Sequence, residues 1–180
     1  KIIKLLSFGF ITPDKGIDIA CEALKDIDNI QLYIVGTVHP WAAEKTFTHF
    51  NKIKGYADKH KNIHLINKFI SEKEKTNYLS EADFVILPYR SISQSAILTE
   101  VWANEKIPIC SDINSFKEEI DSDKNGIIFV LNDPNDLKRK IEDISKDKEK
   151  QKKILDNIKQ IKNERSFDKI ALKFLDNLKK

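Results

Sequence analysis

Residues 88–111 read PYRSISQSAILTEVWANEKIPICS, and this stretch decides the fold. Its pattern predicts a loop after a buried strand, a helix that begins at Ser93 or Ser95 and ends near Glu105, and a further strand over 107–111. Hydroxyl residues ahead of an apolar-periodic run are typical of a helix N-terminus, whose first amides have no partner within the helix. Such an end can hold a phosphate group, although a serine there is more often a plain cap.

The composition indicates one globular domain. The chain has 180 residues, of which 41% are hydrophobic and 33% charged. That length suffices for one sizeable core, and no apolar run approaches the roughly 18 residues that a membrane span needs. A strand is predicted directly after Lys1, so we expect no signal peptide, and the abrupt start suggests a piece of a longer chain.

The net charge and the cysteines indicate which partners, cellular location and metal sites to expect. The net charge is +3, from 31 basic and 28 acidic residues that are interleaved along the chain, which argues against nucleic acid as the main partner. Cys21 and Cys110 lie in apolar segments and are predicted to be buried free thiols, which favours a cytoplasmic location. The two cysteines and four histidines show no metal-ligand spacing.

Strands and helices alternate along the whole sequence. Apolar runs predict six strands, at 2–7, 30–35, 63–66, 83–87, 107–111 and 126–130. Helical periodicity predicts helices from about Asp18, over 42–60, 71–80, the segment after Ser93 or Ser95, 115–120 and 135–145, and two more within 146–180 that are separated near Ser166. We expect the last two helices to pack back on or across the domain through two apolar stripes: the first of Ile154, Leu155, Ile158 and Ile161, and the second of Phe167, Ile170, Ala171, Phe174 and Leu175. Ser71 with Glu74 forms a capping box, and Asp133 followed by Pro134 predicts another helix start.

This alternation predicts a Rossmann-like, three-layer α/β sandwich with a six-stranded parallel sheet. Ligands of such sheets bind beyond the carboxyl ends of the strands, where the strand order reverses. We therefore expect the loops 9–16 and 88–95 to lie close together at one crevice.

The opening stretch resembles the signature of retaining, nucleotide-sugar-dependent glycosyltransferases with the GT-B fold, the glycosyl transferases group 1 family. A subgroup carries Pro-Tyr-x-x-x-Thr-Gln-Ser-Gly and then a helix with a glutamate. The residues in register with this pattern are Pro88, Tyr89, Gln94, Ser95, Leu98, Glu100, Ala103, Pro108 and Ser111. The resemblance implies that the chain is the C-terminal, donor-binding half of such an enzyme.

The first loop, GFITPDKG, is similar to the family's Gly-Arg-Leu-x-x-x-Lys-Gly element, with Gly9, Lys15 and Gly16 matching. In the family, the lysine and the arginine contact the donor diphosphate. Phe10 or Thr12 stands where the family has the arginine. Taken alone, Lys15 would be interpreted as a solvated loop lysine. The diphosphate-binding residues implied by the resemblance are Gly9, Thr12, Lys15, Gln94, Ser95 and Ala96.

Two further positions are assigned by the resemblance. Glu100 would accept hydrogen bonds from the ribose hydroxyls. Lys68 and Phe69 would lie near the base, although a core position for Phe69 is the favoured alternative, as it is for Trp102. The glutamate that the family places near the donor sugar is replaced by Ile92, and Ala96 stands where the subgroup has glycine, so no catalytic residue is assigned.

The resemblance implies that the chain holds a nucleotide-diphospho-sugar without a metal cofactor. The acceptor, a saccharide or lipid-linked saccharide of polysaccharide biosynthesis, would be bound by a missing N-terminal domain, so the isolated chain is expected to be inactive. Peripheral membrane association of the full protein is left open.

Other functions are retained as alternatives. The chain could be half of a sugar-nucleotide epimerase, or a non-catalytic GT-B-like module for interaction or ligand binding. A dinucleotide-dependent dehydrogenase is disfavoured because no Gly-x-Gly-x-x-Gly follows the first strand. A phosphoacceptor receiver domain is disfavoured because that strand lacks an acidic pair for magnesium.

Overall fold

A six-stranded parallel sheet forms the centre of the molecule. The computed structural model describes residues 2–92 and 96–164. The strand order is β3-β2-β1-β4-β5-β6, and all five pairings are parallel. The strands are β1 Ile3–Phe8, β2 Ile30–Gly36, β3 Ile63–Asn67, β4 Phe84–Leu87, β5 Ile107–Ser111 and β6 Ile127–Phe129. The predicted Rossmann-like sheet is confirmed.

Helices connect successive strands and cover the sheet. They are α1 Ile17–Leu24, α2 Glu44–Lys59, α3 Glu72–Glu81, α4 Ala96–Ala103, α5 Asn114–Lys117, α6 Pro134–Lys146 and α7 Lys148–Glu164. A short 3-10 turn, Pro13–Lys15, precedes α1. Within residues 2–92 and 96–164, none of these helices combines the length and apolarity that crossing a membrane requires.

Local sequence signals explain where the helices begin. The Ser71 hydroxyl accepts the Glu74 amide while the Glu74 carboxylate accepts the Ser71 amide, so the predicted capping box is present. The Asp133 carboxylate accepts the amides of Asn135 and Asp136 at the start of α6, with Pro134 in the first turn. These caps satisfy amides that a helix leaves unpaired.

The core lies on both faces of the sheet. Every residue of β4 and β5 is buried, as their continuous apolar runs predict. Trp102 is buried and donates its indole N–H to the Asn125 carbonyl, so its predicted packing role is confirmed. Cys21 and Cys110 are buried free thiols, also as predicted.

Helix α7 is the last element of the described residues. Ile154 and Ile158 of α7 are buried against the domain, in agreement with the first predicted apolar stripe. The second stripe, which includes Phe167, Ile170 and Phe174, and the predicted break at Ser166 lie outside the described residues.

The strand order reverses between β1 and β4, which pair through Leu5 and Leu6. The loops that follow these strands are therefore neighbours: the Arg90 amide donates to the Asp14 carbonyl at 2.7 Å. Gly16 has φ +61°, and a Cβ there would lie 2.0 Å from the Pro88 carbonyl oxygen. Only glycine permits this close approach.

Candidate functional site

A cavity of about 260 Å³ opens at the carboxyl edge of the sheet beside the switch point. Its floor is formed by the ends of β1 and β2, including Gly9 and Gly36. The loop after β3, helix α3 and helix α4 form its walls. This is where a doubly wound sheet ordinarily binds ligands.

One wall of the cavity is aromatic. Phe10 and Phe69 line it with ring centroids 6.3 Å apart, and His39 packs edge-on against Phe10 at 5.5 Å. The side chain of Phe69 is 79% exposed, so the favoured core position was wrong. Phe69 lies beyond the end of edge strand β3, outside the buried core of the described residues. Exposed rings on a cavity wall can stack against a planar ligand.

The cavity lining also includes an ion pair between two helices. The Lys75 ammonium on α3 lies 2.6 Å from Glu100 Oε1 on α4 and 2.8 Å from Glu72 Oε2. Hydrogen bonds to Glu100 and then to Glu72 raise the pKa of Lys75. Glu100 is 29% exposed, so its carboxylate borders the cavity while one oxygen is held by the lysine.

Lys68 contributes a second positive charge to the same cavity. Its ammonium pairs with Glu74 at 2.5 Å, and Glu74 also closes the capping box of α3. The hydrogen bond from Lys68, followed by those from Ser71, lowers the pKa of Glu74 to about 2. The loop after β3 is thereby tied to the start of α3.

Lys15 packs on an aromatic ring instead of lining the cavity. Its ammonium lies 3.9 Å from the centroid of the Tyr89 ring, which is itself buried. Burial lowers the pKa of Lys15, and Asp14 opposes this only in part. The Lys15 amide donates to the Thr12 carbonyl in the 3-10 turn. The lysine therefore sits at the junction of the first and fourth loops.

The buried carboxylate of Asp18 stabilises the junction of the first and fourth loops. Arg90 donates to both oxygens of Asp18, at 2.8 and 3.1 Å, and to the Pro13 carbonyl at 2.9 Å. Lys52 donates to Asp18 from α2. Burial would raise the pKa of Asp18, but these hydrogen bonds outweigh it and lower the pKa to about 2. Arg90 therefore has a structural role, because it links the loop after β4 to Pro13 and to Asp18 of α1.

The structure brings together four of the residues selected from the sequence. Gly9, Lys68, Phe69 and Glu100 all line the cavity. Three others lie outside its lining: Thr12, Lys15 and the exposed Ala96, the first residue of α4. Gln94 and Ser95 fall in the gap between the described ranges.

Lys75 and Arg90 were not predicted from the sequence as residues of the site. A signal for Lys75 existed, because it lies four residues before buried Leu79 and so faces inward, where a lysine needs a partner. No local pattern relates Arg90 to Asp18, which is 72 residues away. In the two described ranges, no group of three or more His, Cys, Asp or Glu residues is placed to hold a metal ion.

The doubly wound sheet and the crevice at its switch point define a Rossmann-like α/β domain. The family model for glycosyl transferases group 1 matches residues 2–161. An uncharacterized glycosyltransferase of Methanocaldococcus jannaschii is 27% identical over 171 residues, which cover 93% of this chain. The chain spans 45% of the length of that relative.

Solved structures share the fold at low sequence identity. Sucrose-phosphate synthase from Thermosynechococcus elongatus superposes with a TM-score of 0.82 at 18% identity, covering 99% of this chain and 45% of that one. HepE of Anabaena in complex with UDP and glucose gives 0.80 at 15% identity, covering 99% and 48%. The C-terminal domain of LpcC, a glycosyl transferase group 1 protein from Francisella tularensis, gives 0.73 at 20% identity, covering 91% and 85%.

The match to the family model extends over most of the chain. This chain therefore belongs to the glycosyl transferases group 1 family. Its domain matches those of GT-B glycosyltransferases.

Proposed function

We propose that this chain is the donor-binding half of a retaining glycosyltransferase and holds a nucleotide-diphospho-sugar in the cavity at the switch point. The observation that carries the proposal is the meeting of Glu100 with Phe10 and Phe69 around one cavity. A carboxylate and aromatic rings around one cavity suit a nucleoside, because hydroxyls donate to the carboxylate while the base stacks on a ring.

The size of the cavity supports a nucleoside as its occupant. Pockets for drug-sized ligands enclose about 300–1,000 Å³, and this one encloses about 260 Å³. A base and ribose fit such a volume, whereas the diphosphate and sugar would extend out of it. We expect the base beside Lys68 and Phe69 and the ribose at Glu100.

The diphosphate would then extend towards the junction of the first and fourth loops. Lys15 and Thr12 lie on one side of that junction, and α4 begins at Ala96 on the other. The backbone amides at a helix start and one ammonium provide hydrogen bonds and positive charge for a diphosphate. Gln94 and Ser95, which directly precede α4 in the sequence, remain part of this proposed site.

Transfer needs more than this chain provides. The family's arginine and sugar-facing glutamate are replaced by Phe10 or Thr12 and by Ile92. We propose that an N-terminal domain binds the acceptor, a saccharide or lipid-linked saccharide of polysaccharide biosynthesis, in the cytoplasm. Without that domain the two substrates are never held together, so the isolated chain should not transfer sugar.

Isothermal titration calorimetry tests the proposal. The 180-residue chain is titrated with uridine, guanosine and adenosine diphosphates in buffer with EDTA, and pyrophosphate serves as the control ligand. We expect one diphosphate to bind more tightly than pyrophosphate, without a metal. Equal affinity for all four compounds would contradict a nucleoside site.

A non-catalytic module is the second candidate. It is favoured by the packing of Lys15 on Tyr89 and by Ile92 at the position of the family's glutamate. Absence of binding of every diphosphate would favour it. Hydrolysis or transfer of the sugar from a nucleotide sugar by the isolated chain would instead contradict the expected inactivity.

A further inference from the structure

The Lys75 ammonium forms an ion pair with the Glu100 carboxylate, which borders the cavity. Its ammonium lies 2.6 Å from Glu100 Oε1, and its side chain is only 18% exposed. The capping box fixes the start of α3, and the Lys75 amide donates to the Ser71 carbonyl at 2.9 Å. The ammonium is thus presented to Glu100 from an anchored helix.

Within the described residues, the ion pair with Lys75 engages one oxygen of the Glu100 carboxylate. Lys75 binds Oε1, and among residues 2–92 and 96–164 no hydrogen bond reaches Glu100 Oε2. A carboxylate offers about four lone-pair directions on its two oxygens. A hydroxyl-bearing ligand in the cavity can therefore donate to Glu100 without displacing the lysine.

We propose that Lys75 is a positioning residue that fixes the Glu100 carboxylate in one orientation to accept the ribose hydroxyls of the nucleotide. This inference rests on the proposed function of the cavity. A flexible glutamate must lose rotamer freedom when it binds a ligand, and an existing ion pair removes that cost from the binding step.

Lys68 provides the matched comparison. It lines the same cavity and carries the same charge, but its partner is Glu74, which belongs to the capping box and not to the cavity lining. If the cavity lysines only attracted the negative diphosphate, removing either ammonium would weaken binding. If Lys75 acts through Glu100, only removal of the Lys75 ammonium would weaken the part of binding that depends on the ribose hydroxyls.

The test compares each diphosphate that binds with its 2′,3′-dideoxy analogue by calorimetry. Replacing Lys75 with Met keeps a long apolar side chain and removes the ammonium. We expect Lys75→Met to weaken the ribonucleotide about 3- to 10-fold, from the ordering cost of one side chain, and the dideoxy analogue less than about 2-fold. Lys75→Arg should restore much of the loss, and Lys68→Met should affect both ligands equally.

Repeating Lys75→Met in a Glu100→Gln background completes a double-mutant cycle for these two residues. There, Lys75→Met should cause no further ribose-dependent loss, because the carboxylate that it positions is gone. Equal losses for the ribonucleotide and the dideoxy analogue, or an unchanged effect in Glu100→Gln, would overturn the role of Lys75 while leaving the nucleotide site intact. Failure of all three ribonucleotides to bind the wild-type chain would overturn the site and the inference together. Thermal unfolding of each variant shows that it is folded.

Discussion

The Lys15 ammonium lies 3.9 Å from the centre of the Tyr89 ring, so the first loop and the fourth loop meet through a cation–π contact. Such a contact contributes about 0.5–2 kcal/mol, depending on desolvation. A diphosphate at this junction would compete with the ring for the ammonium. If the diphosphate extends to this junction, as proposed, the net contribution of Lys15 to binding is reduced by the ring contact that it gives up.

Lys15→Ala should weaken binding of the preferred nucleoside diphosphate by about 5- to 30-fold. This estimate takes about 1.5–3 kcal/mol for a charge-assisted contact and subtracts about 0.5–1 kcal/mol, the lower part of the cation–π range, for the lost contact with Tyr89. Calorimetry gives the ratio of dissociation constants. Lys61→Ala is the control. Lys61 is exposed and precedes β3, so it lies at the amino ends of the strands, whereas the cavity lies at their carboxyl ends. Equal affinities of wild type and Lys15→Ala would remove Lys15 from the site.

Phe69→Ala should weaken nucleotide binding without destabilising the fold. Stacking of a base on an aromatic side chain contributes about 1–3 kcal/mol, so the affinity should fall roughly 5- to 150-fold. Pyrophosphate binding should not change, because it has no base. Trp41→Ala is the matched control: Trp41 is 89% exposed and does not line the cavity. A matching loss in both variants would contradict a specific role for Phe69.

The fold was predictable because strand and helix signals are local. The apolar runs of β4 and β5 and the capping box at Ser71 each appear within a few residues of sequence. The core position favoured for Phe69 was wrong because a local pattern does not show whether another layer covers a residue beyond an edge strand.

The long-range contacts of the site were not predictable in the same way. Lys75 and Glu100 are 25 positions apart on different helices, and the arrangement of α3 and α4 on either side of β4 in the chain brings them to 2.6 Å. Asp18 and Arg90 meet across the switch point. Pairs of this kind depend on the packing of complete elements, so one sequence indicates that a buried charge needs a partner without identifying it.

Gly16→Ala should destabilise the chain by at least about 2 kcal/mol, because an L-residue at positive φ alone costs roughly 1–2 kcal/mol. The new Cβ would also lie 2.0 Å from the Pro88 carbonyl oxygen, so the first and fourth loops would have to separate. Chemical denaturation measures the free energy of unfolding.

Gly55→Ala is the matched control for this substitution. Gly55 lies within α2, and a Cβ there meets nothing within 4 Å. Because alanine favours a helix interior over glycine by about 0.5–1 kcal/mol, this variant should be more stable than wild type. Similar destabilisation by both substitutions would contradict a special constraint at Gly16.

Ionised Asp18 should increase the free energy of unfolding, and this contribution should be lost in acid. Its folded-state pKa is about 2, against an ordinary value of 3.8. A folded-state pKa below the unfolded value means that folding favours the charged form, so the contribution is complete above about pH 4 and disappears as the pH falls towards 2. At about 1.36 kcal/mol per pKa unit, this contribution is about 2 kcal/mol.

Asp18→Asn measures that contribution directly. The difference in unfolding free energy between wild type and Asp18→Asn should shrink by about 2 kcal/mol between pH 4 and pH 2. The neighbouring His49, 3.9 Å away, also titrates, and burial lowers its pKa, so the comparison is repeated in a His49→Gln background. Asp58→Asn, at an exposed position of α2, is the control. If the difference for Asp18→Asn did not change with pH, its ion pair with Arg90 would not be the source of the stability.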